Sequence, residues 1–226
     1  MSVLSEIGAF FRDGGALMFP IAFLGVVAAG IAVERWVKIQ FHYSINSRAF
    51  MAKLKKYILS DNIDRAISLC NSRAEALLPR VLKSGLTRAK DGALDIQNAI
   101  DEATLEALPK LEARSLYLPT LANLSTLLGL MGTIAGLVVA FKSGDSGVDA
   151  VQRQQYLQSA IAVAMHTTLF GLMVAVPTLF VHTIVQSKIN SIISDIDQYS
   201  VKLVNLLSAA QKVGRSGVED DEAINE

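Results

Sequence analysis

Apolar residues in this chain are gathered into three long runs, Gly14–Val33, Leu118–Phe141 and Ala160–Val185, separated by segments in which polar and charged residues recur. None of the three runs contains Asp, Glu, Lys or Arg. A helix needs roughly 20 apolar residues to cross a bilayer, so each run predicts a transmembrane helix. The first closes on Glu34 and Arg35, a charged pair expected at the membrane boundary. Before it stand Glu6, Arg12 and Asp13 but no basic cluster, and no small-residue cleavage pattern follows, so it is expected to be a retained anchor and not a removed leader.

Between the first and second runs the hydrophobic spacing changes to the three-and-four rhythm of amphipathic helices. Ile63, Ala66, Ile67 and Cys70 share a face of a helix expected to start from an Asp61 N-cap and end near Asn71. Leu78, Val81, Leu82 and Leu86 mark a second helix. A third runs from near Asp95 through Ile100, Ala103 and Leu111, with a kink expected at Pro109. Segment 34–117 therefore reads as a small helical domain. Past the third run, Ile189, Ile192, Ile193, Ile196, Leu203, Leu206 and Leu207 continue the spacing among Lys188, Asp195, Asp197 and Lys202. This predicts an amphipathic helix over 186–213, with a stripe for self-association or for packing on the chain's own inner domain. The acidic 214–226 segment reads as a disordered tail.

The chain is predicted to be an all-α membrane protein, and its charge places it in the bilayer. Of its 21 Lys and Arg residues, 14 fall between Arg35 and Arg114, whereas segment 142–159 has only Lys142 and Arg153. The positive-inside tendency then puts segment 34–117 and the C-terminus in the cytoplasm and 1–13 and 142–159 outside. Arg35 and Lys38, next to the first span, carry most of that weight. With 226 residues, 51% hydrophobic, and 21 acidic against 21 basic residues, the chain has no basic excess for nucleic acid. The single Cys70 excludes an intrachain disulfide. No phosphate loop, nucleophile–base pair or metal-ligand cluster stands out, so an enzyme is not expected and no cofactor or metal is implied.

The second and third spans have internal patterns of their own. Gly129, Gly132, Gly136 and Ala140 form a small-residue stripe, with Asn123, Thr126 and Thr133 on an overlapping face. In the third span Ala160, Ala164, Thr168, Gly171, Ala175 and Thr178 repeat at three or four. Small stripes let helices approach closely, so Gly129, Gly132, Gly136, Gly171 and Ala175 are expected at a packing face. Asn123, Thr126, Thr133 and Thr168 could border an ion path, although a membrane Thr ordinarily bonds a carbonyl of its own helix. His166 is the titratable group well inside a span. It reads either as a neutral ring bonded to a neighbouring helix or as a proton relay.

These motifs carry a resemblance. The sequence Gly14-Gly15-Ala-Leu-Met18-Phe-Pro20-Ile21 closing on Glu34-Arg35 resembles the opening of the ExbB/TolQ/MotA family of proton-channel proteins. Leu127-Leu128-Gly129-Leu130-Met131-Gly132-Thr133-Ile134 resembles that family's second-span core. Thr167-Thr168-Leu-Phe-Gly171-Leu172-Met-Val-Ala175-Val-Pro177 resembles its third-span core. Leu82-Lys-Ser-Gly85-Leu86 and Ile100-Asp-Glu102-Ala103 extend the likeness, and three spans favour the ExbB/TolQ branch. Ser125-Thr126 and His166 depart from the family pattern by adding polarity.

The resemblance implies a homo-oligomeric ring, expected to be a pentamer, in the bacterial inner membrane. Its pore would hold the single-span helices of an ExbD/TolR-like partner whose aspartate takes up and releases the ion. Thr133 and Thr168 match the family's pore-facing threonines, and a TonB/TolA-like protein is a further implied partner. The expected function is an ion channel subunit, with protons as the expected ion, that energises an envelope process. A non-conducting three-span scaffold is the alternative.

Overall fold

In a computed structural model of the protein, residues 15–43, 45–143 and 150–224 are described. The expected outer segment 1–13, and 144–149 of the expected outer loop, lie outside the described residues. All regular structure among the described residues is helical: α1 (Met18–Val37), a π-helical turn (Lys38–Tyr43), α2 (Ser47–Leu59), α3 (Ile63–Asn71), α4 (Leu77–Thr87), α5 (Ala93–Glu112), α6 (Tyr117–Ser143) and α7 (Ala150–Ile224). Three helices among the described residues are long and apolar enough to cross a membrane.

The chain forms two compact units. The first contains residues up to Arg35 and Arg114–Val185, and so holds α1, α6 and the first half of α7. Its outward positions are apolar, including Phe19, Phe23, Val26, Leu127, Ile134, Phe141, Val176 and Phe180. Bulky side chains point away from the packed faces, as expected of helices whose surroundings are lipid or further helices. Where α1 meets α7, a Cβ on Gly25 would lie 3.2 Å from both methyl carbons of Val174. At the end of α1, Glu34 accepts two hydrogen bonds from Arg114 Nη1, at 2.8 and 2.9 Å. Arg35 beside it is buried, and its Nε meets no partner among the described residues. Of the two residues expected at the boundary, Glu34 is therefore held by an ion pair, and Arg35 is enclosed.

The second unit contains Trp36–Ala113 and the part of α7 from Gln186 onward. Much of the predicted faces forms its core: Ala66 and Cys70 of α3, Leu78, Val81, Leu82 and Leu86 of α4, and Ile100 and Leu111 of α5 are buried with Ile189, Ile196, Leu203 and Leu207 of α7, joined by Ile96, whereas Ile63, Ile67 and Ala103 are half-buried. Burying one such Leu or Ile contributes about 1.5–3 kcal/mol. A Cβ at Gly85 would come 2.7 Å from Ile100 and 3.3 Å from Leu203, so α4 uses a glycine where three helices converge. Of the two uses open to the 186–213 stripe, packing on the chain's own inner domain is realised here.

Several boundaries differ from the expected ones. Asp61 does not cap α3. It takes a left-handed conformation (φ 54) and Asn62 occupies the N-cap position. The end of α2 accounts for this: Asp61 N and Asn62 N close back on the carbonyls of Ile58 and Tyr57 at 3.1 and 3.0 Å, and such a helix stop needs a left-handed residue. Asp tolerates that region better than most side chains. Pro109 falls in the last turn of α5, which runs unbroken through it to Glu112. The helix ends just beyond it, and Arg114 in the following turn is also left-handed (φ 61). The third span is part of a 75-residue helix that starts ten residues before Ala160. Residues 150–159 contain no Gly or Pro to prevent this. The helical backbone likewise passes Val213 and continues to Ile224, where a disordered tail was expected; no proline interrupts it.

Candidate functional site

The crossing of α6 and α7 is made by residues without bulk. A Cβ on Gly129 would lie 3.1 Å from the Thr167 carbonyl, and one on Gly171 would lie 2.6 Å from the Ser125 carbonyl. On Gly136 it would approach Ala164 Cβ at 2.8 Å, and on Gly132 it would overlap the Thr167 side chain. Ala175, one turn beyond Gly171 on α7, is also buried. Gly129, Gly136 and Gly171 thus lie where the two backbones approach, and Gly132 lies against the Thr167 side chain. Thr167 and Ser125, both almost fully buried, complete the face. In the sequence their hydroxyls mark them as polar residues and hide their packing role. The signal in the sequence is the spacing: Thr167 stands three residues after Ala164 and four before Gly171, and Ser125 continues the Gly129–Gly132 spacing.

Asn123, Thr126 and Thr133 each follow a packed residue, namely Ala122, Ser125 and Gly132. One residue is a turn of about 100° around a helix. The polar stripe is thus rotated off the crossing and remains partly open: Asn123 is exposed, and Thr126 and Thr133 are half-buried. On α7, Thr167 fills the crossing while Thr168 and His166 flank it, about 100° to either side. His166 is half-buried and stands apart from Thr168 across the helix.

The hydroxyl bonds separate these residues further. Thr126 Oγ1 donates to the Ala122 carbonyl at 3.2 Å, Thr133 Oγ1 to the Leu130 carbonyl at 2.7 Å, and Thr167 Oγ1 to the Ala164 carbonyl at 2.8 Å. Thr168 differs. Its hydroxyl leaves its own helix and donates to the Gly129 carbonyl of α6 at 2.9 Å. Interhelical bonds of this kind in membranes contribute about 0.6 kcal/mol on average and up to about 1.7. A carbonyl can only accept, so each hydroxyl proton is already committed and lone pairs are what remain. As held here, the threonines can accept from water or from a protonated acid. Donating to an ionised carboxylate would require them first to release a carbonyl.

Comparison with known proteins places these features. A family model described as the MotA/TolQ/ExbB proton channel family matches residues 73–198, which include both core motifs and the crossing. The chain is 28% identical over 177 residues to the Synechocystis sp. protein named biopolymer transport protein ExbB-like 3, covering 77% of this chain and 82% of that one. It is 26% identical over 192 residues to the ExbB-like 1 protein of the same organism, covering 78% and 69%. Its fold is similar to a chain in the solved structure of C. jejuni MotAB, with a TM-score of 0.58 at 16% identity over 89% of this chain and 79% of that one.

Proposed function

The chain belongs to the MotA/TolQ/ExbB proton channel family, and from that premise we propose that it is the channel-forming subunit of an ion-driven motor in a bacterial inner membrane. Several copies, five by the family resemblance, would surround an ExbD/TolR-like single-span partner carrying the membrane carboxylate. A TonB/TolA-like protein would pass the motion to the envelope. The observation that carries this reading is the open stripe of Asn123, Thr126 and Thr133. The α6–α7 crossing leaves it uncovered, though a membrane helix gains nothing from showing amides and hydroxyls to lipid.

The division of labour has a physical basis. One elementary charge crossing the membrane releases about 2.3 kcal/mol per 100 mV, and a carboxylate at mid-membrane is costly until it is protonated. The threonine lone pairs suit the protonated state, since a carboxylic acid donates one hydrogen bond. Thr168 borders this path while also bracing it through Gly129.

Proton flux in vesicles, with sodium as control, tests the proposal. Flux should require the partner and fall severalfold in Thr133→Val, which keeps side-chain shape and loses only an intrahelical bond. An assembled complex with no potential-dependent flux for either ion would instead favour the scaffold reading, which the fully engaged threonine hydroxyls also suit.

A further inference from the structure

The second unit contains a polar cavity of about 120 Å³. Ile39 and Tyr43 of the π-helical turn, Ser47 at the start of α2, and Lys188, Ser191 and Asp195 of α7 line it, among others. Lys188, Ser191 and Asp195 follow one another at three and four residues and so share a face of α7. Ser47 Oγ donates to Asp195 Oδ2 at 2.6 Å, which fixes the carboxylate in the wall. Its second oxygen accepts no hydrogen bond from a described residue. The volume exceeds what one water needs several-fold, and a π-turn is an unusual element, often found where a helix has been reshaped around a site.

The order of the charges along α7 is informative. Lys188 comes three residues after Val185, the last residue of the apolar run, which is about 5 Å along the helix and within the headgroup layer. Asp195 lies seven residues farther from the membrane, about 10 Å. The cavity therefore presents a cation on its membrane side and a carboxylate on its aqueous side. A phospholipid head with a primary ammonium has the complementary polarity: its phosphate is anchored near the membrane and its ammonium lies outward. With a charge-assisted hydrogen bond of about 2.8 Å at each end, such a head spans on the order of 10 Å. We propose that this cavity binds the headgroup of an ethanolamine phospholipid, the phosphate at Lys188 and the ammonium at Asp195. The site needs only the membrane boundary, and neither the sidedness of the chain nor ion conduction enters the assignment.

Native mass spectrometry of the full-length assembled protein, given equal amounts of phosphatidylethanolamine, phosphatidylcholine and phosphatidylglycerol, tests it. The unaltered protein should retain the ethanolamine lipid about tenfold over the choline lipid, whose quaternary ammonium cannot donate; one charge-assisted hydrogen bond accounts for such a factor. Asp195→Asn should erase that preference and leave phosphatidylglycerol unchanged, whereas Lys188→Gln, which removes the phosphate's partner, should weaken retention of all three lipids. Ser47→Ala removes the same wall bond but keeps the carboxylate, so it should preserve the preference and separates a binding role from a structural one. Equal retention of the ethanolamine and choline lipids, or a preference that survives Asp195→Asn, would overturn the assignment. Displacement by millimolar glycerophosphoethanolamine without any lipid preference would overturn the lipid source in favour of a soluble ligand.

Discussion

Thr133 and Thr168 have the same hydroxyl, yet removing it should have different consequences. Thr168→Val breaks a bond between helices and should weaken α6–α7 association by about 0.6–1.7 kcal/mol. Thr133→Val breaks a bond within one helix and should change stability by less than about 0.5 kcal/mol. Unfolding in mixed micelles measures both. A flux defect in Thr133→Val is therefore the more direct sign of a path residue, since in Thr168→Val loosened packing contributes. Cys70 offers a second measurement. Burial pushes its thiol up to about 11 from an ordinary 9.0, with Lys83 pulling the other way. The folded chain holds that proton after an unfolded chain would lose it. This stabilisation is complete below about pH 9 and is lost as the pH climbs towards 11. Maleimide labelling at pH 8 should accordingly be slow until denaturant is added, and rapid labelling of the folded protein would contradict the buried thiol. At this scale the sequence disclosed which residues are small or polar but not where each hydroxyl is directed. Thr126, Thr133 and Thr167 keep the ordinary bond to their own helix, whereas Thr168 turns away because the Gly129 carbonyl lies across the crossing, a fact of two helices together.

Elements were legible where periodicity was strong. The faces of α3 and α4 and the α7 stripe were readable because a buried face must repeat at the helical period. Their ends were not, because helix ends depend on local competition: Asp61 can cap the next helix or terminate the previous one, and the closing bonds of α2 decide for the latter. The start of α7 was hidden for a different reason. Charged and polar residues at 150–159 mark the end of an apolar run but not the end of a helix. The α6–α7 crossing itself yields a prediction. Gly132→Ala places a methyl group in the Thr167 side chain and should destabilise the pair by about 1–3 kcal/mol. Thr167→Gly in the same chain should recover much of that loss, giving a coupling of 0.5 kcal/mol or more in a double-mutant cycle. Simple additivity would show that the two residues do not share the space.

For the whole molecule, the distribution of Lys and Arg predicts an orientation that can be checked directly. In a Cys70→Ala background, Asp145→Cys should react with a membrane-impermeant maleimide in intact cells, and Asn205→Cys only after permeabilisation. The reverse pattern would invert the topology. One further property follows from the way the threonine hydroxyls are held. Between Thr126 and Thr133, and again at Thr168, the protein shows oxygen lone pairs whose protons face its own backbone. Chloride and other anions are solvated by donors, and these hydroxyls have none to give. Water, hydronium and a protonated acid do bring donors and are accepted. At these three positions the direction of the hydrogen bonds would thus disfavour anions, without any fixed charge of the chain's own there.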